Sequence, residues 1–126
     1  MSQLVTTGGL TFFFDSTNVT AVSDHSETGV PVTCVFGVSQ NPLEITESVL
    51  PFLSRLSVVQ KFAKLSRPDG AQIWIDGSAV GSLRTAISGE YRASVNSVVT
   101  VGNTAFGVCE DVSTAVEAIN AHGGKL

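Results

Sequence analysis

Few residues of this chain are suited to acid–base, nucleophilic or metal chemistry: His25, His122, Cys34, Cys109 and the adjacent carboxylates Glu110 and Asp111. A zinc site needs three or four nitrogen or sulfur ligands at short spacing, as in paired CxxC or HExxH runs, and neither pattern occurs. His25 falls in a polar loop and His122 at a helix end, where solvation and the helix dipole account for them. Cys34 and Cys109 sit among Val and Phe or at a strand end and read as inert, buried thiols. A mutual disulfide or a redox-sensitive contact is the alternative, the former decided by the distance between their Cα atoms. Glu110 and Asp111 could serve as paired acids, but carboxylates ahead of a helix are stabilised by its N-terminus alone, so they read as a helix start. The glycines form neither GxGxxG nor a P-loop, and no GxSxG elbow is present. No enzyme activity, cofactor or metal is therefore expected.

Aromatic side chains offer a different chemistry, the stacking of bases or the anchoring of a protein interface. The candidates are Phe12, Phe13, Phe14, Trp74 and Tyr91. Strand alternation buries Phe12 and Phe14, or Ile73 and Ile75, and turns Phe13 and Trp74 to the opposite face. That face could be covered by a helix, by the other half of the chain or by another subunit. A net charge of -4 opposes binding to phosphates, so the expected partner is protein and not nucleic acid.

The distribution of charge is uneven. Residues 1–54 hold no Lys or Arg and five carboxylates, Asp15, Asp24, Glu27, Glu44 and Glu47, whereas residues 55–126 hold seven bases against six acids. One physical use of this contrast is a contact between unlike surfaces, in which the acidic half of one subunit meets the Lys61, Lys64, Arg67, Arg84 and Arg92 region of its neighbour. Drift after duplication is the other reading.

The elements that must position these residues are written twice. Residues 3–22 lie over residues 64–83 at a constant offset of 61, with Leu4 on Leu65, Gly9 on Gly70, Asp15 on Asp76 and Val19 on Val80. Phe12-Phe13-Phe14 falls on Ile73-Trp74-Ile75 in the same frame. Charged residues make up only 14% of the 126, below the roughly 25% of ordinary soluble domains. Ser, Thr and Val are abundant instead, a mixture that favours strands. Each copy reads as a strand, a Gly-containing turn, a returning strand, an Asp corner and a third strand. The spans are 3–6, 11–14 and 19–23 in the first copy and 61–66, 72–76 and 80–84 in the second. Asp15 and Asp76 are placed to accept backbone amides in their corners. Polar loops at 24–29 and 85–94 lead into β-rich sequence at 30–38 and 95–101, and a further strand is expected at 105–109.

One helix closes each copy. Asn41 is the expected cap of the first, with Pro42 at the opening position and Glu44 completing a capping box; Ile45, Val49, Phe52 and Leu56 form its stripe, and Pro51 kinks or shortens it. The second starts near Asp111, presents Val112, Val116 and Ile119, and stops at Gly123-Gly124. The expected fold is α+β, mainly β: two tandem pseudo-symmetric units, 1–60 and 61–126, each a small antiparallel sheet, possibly barrel-like, followed by one helix, and packed as one globular domain. A 60-residue unit alone buries little surface. With no basic region followed by an apolar run at the N-terminus and no apolar stretch near 18 residues, neither a secretory signal nor a membrane span is expected. The expected location is a virion or the cytoplasm.

Residues 64–120 resemble a known group. Leu65-Ser66-Arg67-Pro68-Asp69-Gly70, Ile73-Trp74-Ile75-Asp76, Val80, the Gly89-Glu90-Tyr91 loop, Val98-Val99-Thr100-Val101 and the terminal amphipathic helix look like the small FlbD-type flagellar and motility proteins and short uncharacterised proteins of tailed bacteriophages. The Gly-Glu-Tyr loop is closer to the phage versions. The resemblance implies a small β-rich module that works by binding. It makes the expected function that of a structural, non-enzymatic protein docking on or polymerising within a larger assembly, such as a phage virion accessory. A regulatory module for protein or single-stranded nucleic acid is the alternative. Contacts are expected at Phe13, Asp24, Glu27, Lys61, Lys64, Arg67, Trp74, Glu90, Tyr91 and Arg92.

Overall fold

Side chains of a strand alternate, so Leu4, Phe12 and Phe14 share one side of a pleated ribbon while Gln3, Val5, Thr11 and Phe13 share the other. A computed structural model of the chain describes residues 2–26 and 31–126. Among them are ten strands, two α-helices and several single-turn 3-10 segments, an α+β composition dominated by strands. The chain divides into two compact units, Met1–Val59 and Gln60–Leu126.

In the first unit, β1 (Ser2–Val5) and β2 (Thr11–Phe14) form an antiparallel hairpin, and β3 (Ala21–Ser23), β4 (Thr33–Phe36) and β5 (Leu43–Ile45) form an antiparallel meander. Thr6 bridges to Ile45, and the Thr7 amide donates to the Glu44 carbonyl at 2.9 Å, joining the end of the hairpin's first strand to β5. Helix α1 (Val49–Arg55) follows and buries Val49, Phe52 and Leu53.

The second unit has the same order of elements. β6 (Phe62–Ser66) and β7 (Gln72–Asp76) form the hairpin, β8 (Val80–Thr85), β9 (Ser97–Val101) and β10 (Thr104–Val108) form the meander, and α2 (Val112–Asn120) closes it. The Cys109 amide donates to the Ser66 carbonyl at 2.8 Å, which ties the hairpin to the end of β10.

In the two hairpins the pairing registers correspond residue for residue. Gln3 faces Phe13, Leu4 faces Phe12 and Val5 faces Thr11; 61 residues on, Lys64 faces Trp74, Leu65 faces Ile73 and Ser66 faces Gln72. Gly9 and Gly70 both take positive φ, +90° and +78°, in the intervening turns. In the meanders Ala21, Val22 and Ser23 face Phe36, Val35 and Cys34, while Ser82, Leu83 and Arg84 face Thr100, Val99 and Val98, so the offset has become 64 in the fourth strand. It is 63 in the fifth, where Thr33 faces Ile45 and Ser97 faces Val108.

The two Asp corners match as well. An Asp15 carboxylate oxygen accepts from the Thr17 amide at 2.9 Å and its hydroxyl at 2.8 Å, and an Asp76 oxygen accepts from the Ser78 amide at 3.0 Å and its hydroxyl at 2.7 Å. Each aspartate thereby caps a 3-10 turn, Ser16–Asn18 or Gly77–Ala79. Asp76 is buried whereas Asp15 is exposed. Asp76→Ala is expected to lower stability by about 0.5–2 kcal/mol, with Asp15→Ala costing less; thermal melts of the two variants measure the difference.

Two helix expectations are corrected. The first helix does not start at Asn41, because Leu43, Glu44 and Ile45 alternate half-buried, exposed and buried and pair with β4 as β5. Ile45 satisfies both the helical stripe and the strand, and sheet pairing decides between them. Ser48 occupies the N-cap position without a side-chain hydrogen bond, and Pro51 lies in the first turn, where a missing N–H costs no intrahelical bond. The second helix begins as expected, with Asp111 accepting from the Thr114 amide at 2.8 Å. Its buried residues are Ala115 and Ile119, with Val112 and Val116 half-buried at the margin.

Candidate interaction surface

The β1–β2 hairpin keeps Leu4 and Phe14 buried, at 1% and 4% exposure, and turns its other face outward. There Phe13 is 65% exposed and Val5 is 50% exposed, with Leu10 at the turn also 65% exposed. Phe13 thus lies on the outer face that alternation assigns to it. Val5 and Leu10 were not singled out in the sequence, although Val5 shares the alternation frame of Phe13 through the facing pairs Gln3–Phe13 and Val5–Thr11.

The equivalent face of β6–β7 is built differently. Trp74 is half-buried, and the Lys64 ammonium from the facing position lies 5.7 Å from its ring centroid. That distance allows a cation–π contact in which the lysine covers the ring. Lys61, just before β6, is exposed. Arg67 is half-buried with its guanidinium carbon 5.6 Å from the Phe106 centroid, so it packs inward within its unit.

The loop after β8 holds Glu90, Tyr91 and Arg92. The Arg84 guanidinium grips the Glu90 carboxylate with two bonds, at 2.8 and 2.7 Å, and the Ile87 amide donates to it at 3.4 Å. These bonds hold Glu90 below the ordinary carboxylate range, the Arg84 hydrogen bonds being the main cause, and they tie the loop back onto β8. Tyr91 is half-buried beside Gly107, where a methyl group would come within 3.0 Å of its ring. Arg92 is exposed. Ile87, Tyr91, Arg92 and Val95 help line an open depression of about 340 Å³.

Asp24 is half-buried and bonds to the His25 ring at 2.8 Å. Glu27 lies outside the described residues. In the first unit, then, Phe13 lies on the hairpin and Asp24 beside His25; in the second, Lys64 and Trp74 lie together on the hairpin and Glu90 and Tyr91 share the loop after β8.

The groups considered for chemistry have structural partners. Glu110 accepts from the Ser66 amide through both oxygens, at 2.9 and 3.0 Å, while Asp111 caps α2, so the adjacent acids do two different jobs. The Thr114 amide is the main cause of a lowered Asp111 pKa. His122 bonds to the Gln60 carbonyl at 2.8 Å. Neither cysteine is in a disulfide; Cys34 is buried, and Cys109 is half-buried, with burial and the neighbouring Glu110 pushing its thiol pKa up. Among the described residues no three His, Cys, Asp or Glu side chains gather closely enough to hold a metal ion, and no helix is long and apolar enough to cross a membrane.

Arg55 was missed in the sequence. It makes two bonds to Glu47, both 2.8 Å, and one to the Gln3 carbonyl at 2.6 Å. It therefore belongs to the acidic unit, which then holds five carboxylates against one base, while the second unit is balanced at six against six. Comparison with protein-family models, with curated proteins and with solved structures yields no match.

Proposed function

We propose that this chain is a non-enzymatic interaction protein that docks on, or assembles into, a larger complex, and that the complex is a bacteriophage virion in which it serves as a capsid-decorating or head–tail accessory. The observation that carries this reading is the outer face of the β1–β2 hairpin, where Val5 and Phe13 share one side of the ribbon beside the exposed Leu10. Clustered apolar side chains of this kind mark interaction sites, and covering the half to two thirds of each that is still exposed contributes about 1–2 kcal/mol. The low charge content and the likeness of residues 64–120 to short phage proteins support the virion assignment. A module for single-stranded nucleic acid would need an open stacking face on Trp74, and Lys64 lies over that ring.

Gradient sedimentation of a lysate from the native source, followed by detection with an antibody to this chain, tests the reading. The chain is expected to travel with a high-mass particle and to remain on it through washing. Recovery only in the light fractions, under conditions that preserve such particles, would overturn it.

A further inference from the structure

We infer that the outer face of the β1–β2 hairpin receives the Lys64–Trp74 face of a second copy of this chain, so that copies add head to tail. This inference rests on the assembly reading above and names the partner for its exposed face.

Three observations lead to it. The first is geometric. The two hairpins share one pairing register, so Gln3 and Phe13 occupy the positions that Lys64 and Trp74 occupy in the other. Side chains at facing and diagonal positions are then spaced alike on both ribbons, and an aromatic residue projects from the matching point of each.

The second is the unequal cover of those aromatics. Lys64 lies over Trp74, whereas the facing residue of Phe13 is the shorter, neutral Gln3. Phe13 is left 65% exposed. A lysine stem is apolar along its length, and an ammonium beside an aromatic face is favourable, so Lys64 of one copy suits Phe13 of the next.

The third is charge. Carboxylates rim the β1–β2 hairpin: Asp15 follows β2 directly, and exposed Glu44 sits beside Thr7, whose amide it holds through its backbone carbonyl. The Thr17 amide, and then its hydroxyl, lower the Asp15 pKa from its ordinary value. The one base of that unit, Arg55, is engaged by Glu47. The opposing face presents exposed Lys64, and exposed Lys61 stands just before its strand. Acidic rim and basic face are thus complementary between copies, while each repels its own kind, which disfavours a twofold contact of like faces. Because the two faces differ, each copy keeps one unused face after pairing, and association continues into a ring or an open chain.

Sedimentation velocity of the whole chain, at low and high salt and up to about 1 mM, tests the inference. Wild-type protein is expected to form species larger than a dimer at low salt and to lose them at high salt. Phe13→Ser and the double variant Lys61→Glu/Lys64→Glu each remove one face and are expected to weaken association at least roughly tenfold. Both change exposed positions, and unchanged circular dichroism and melting temperature establish that each still folds. Mixed in equal amounts, the two variants retain one complementary pair of faces and are expected to form a 1:1 dimer that grows no further.

A wild-type monomer across the whole range, association indifferent to Phe13→Ser, or a mixture that stays monomeric would each overturn the inference. A chain that is monomeric here yet sediments with the native particle refutes self-docking and leaves the functional reading standing. Self-association without any particle does the reverse.

Discussion

Phe52→Ala is expected to lower the free energy of unfolding by about 3–5 kcal/mol, a large share of the roughly 5–15 kcal/mol typical of a domain. Phe52 is fully buried at the centre of α1, with the Phe14 ring 6.5 Å away and the Arg55 guanidinium carbon 5.1 Å from its centroid. Arg55 in turn holds Glu47 and the Gln3 carbonyl. Truncation would leave a cavity between helix and hairpin and remove the surface on which that arginine rests. The short helix cannot compensate, because a seven-residue segment has little stability apart from its packing. Phe13→Ala is the control. At 65% exposure it should change stability by no more than about 0.5 kcal/mol. Urea denaturation of both variants gives the comparison, and equal midpoints would refute the assignment of Phe52 to the core and Phe13 to the surface.

That Phe13 points away from Phe14 was legible in the sequence, because three consecutive phenylalanines in a strand cannot all face one way; that its face is left open to solvent was not, since a helix, the other half of the chain or another subunit could equally have covered it. The hairpins and Asp corners were legible too, since a gapless offset of 61 carries their turn glycines and capping aspartates together. The correspondence fades beyond residue 83 for a physical reason: the loop after the third strand is three residues longer in the second unit, and the next connection is one residue shorter. Strand pairing tolerates such changes in loop length, whereas a fixed offset does not. The start of α1 was misjudged because Ile45 lies at helical spacing from Val49 and at strand spacing from Leu43. Only its pairing with Thr33 separates the two.

Polar contacts were the least legible part of the candidate site. Arg84 and Glu90 stand six residues apart and Glu47 and Arg55 eight apart, and neither spacing is a helical or cross-strand rule. Each pair forms because the intervening chain folds back. Drawing the charge boundary before Arg55 separated that base from the glutamate it neutralises. Lys64 over Trp74 follows from the hairpin register, which the turn at 67–70 sets and which a residue count alone leaves open.

Gly37→Ala is expected to cost roughly 2–5 kcal/mol, combining backbone strain of about 1–2 kcal/mol with overpacking of about 1–3 kcal/mol. Gly37 follows β4 with φ at +103°, a region that side chains other than hydrogen rarely allow. A methyl group there would lie 2.1 Å from the Asn18 carbonyl oxygen and 3.0 Å from the Thr20 amide nitrogen. Both are backbone atoms, so no rotamer change relieves the collision. The chain leaving the first Asp corner would have to lift away, breaking the bond from the Thr20 amide to the Phe36 carbonyl, 3.0 Å, that aligns the start of β3 with β4. Gly9→Ala separates the two contributions, because Gly9 has φ at +90° but nothing within 4 Å of the added carbon. It should show the conformational cost alone, partly offset by a less flexible unfolded chain. Equal destabilisation of the two variants in urea would mean that the approach of Asn18 to Gly37 is not what holds the corner against β4.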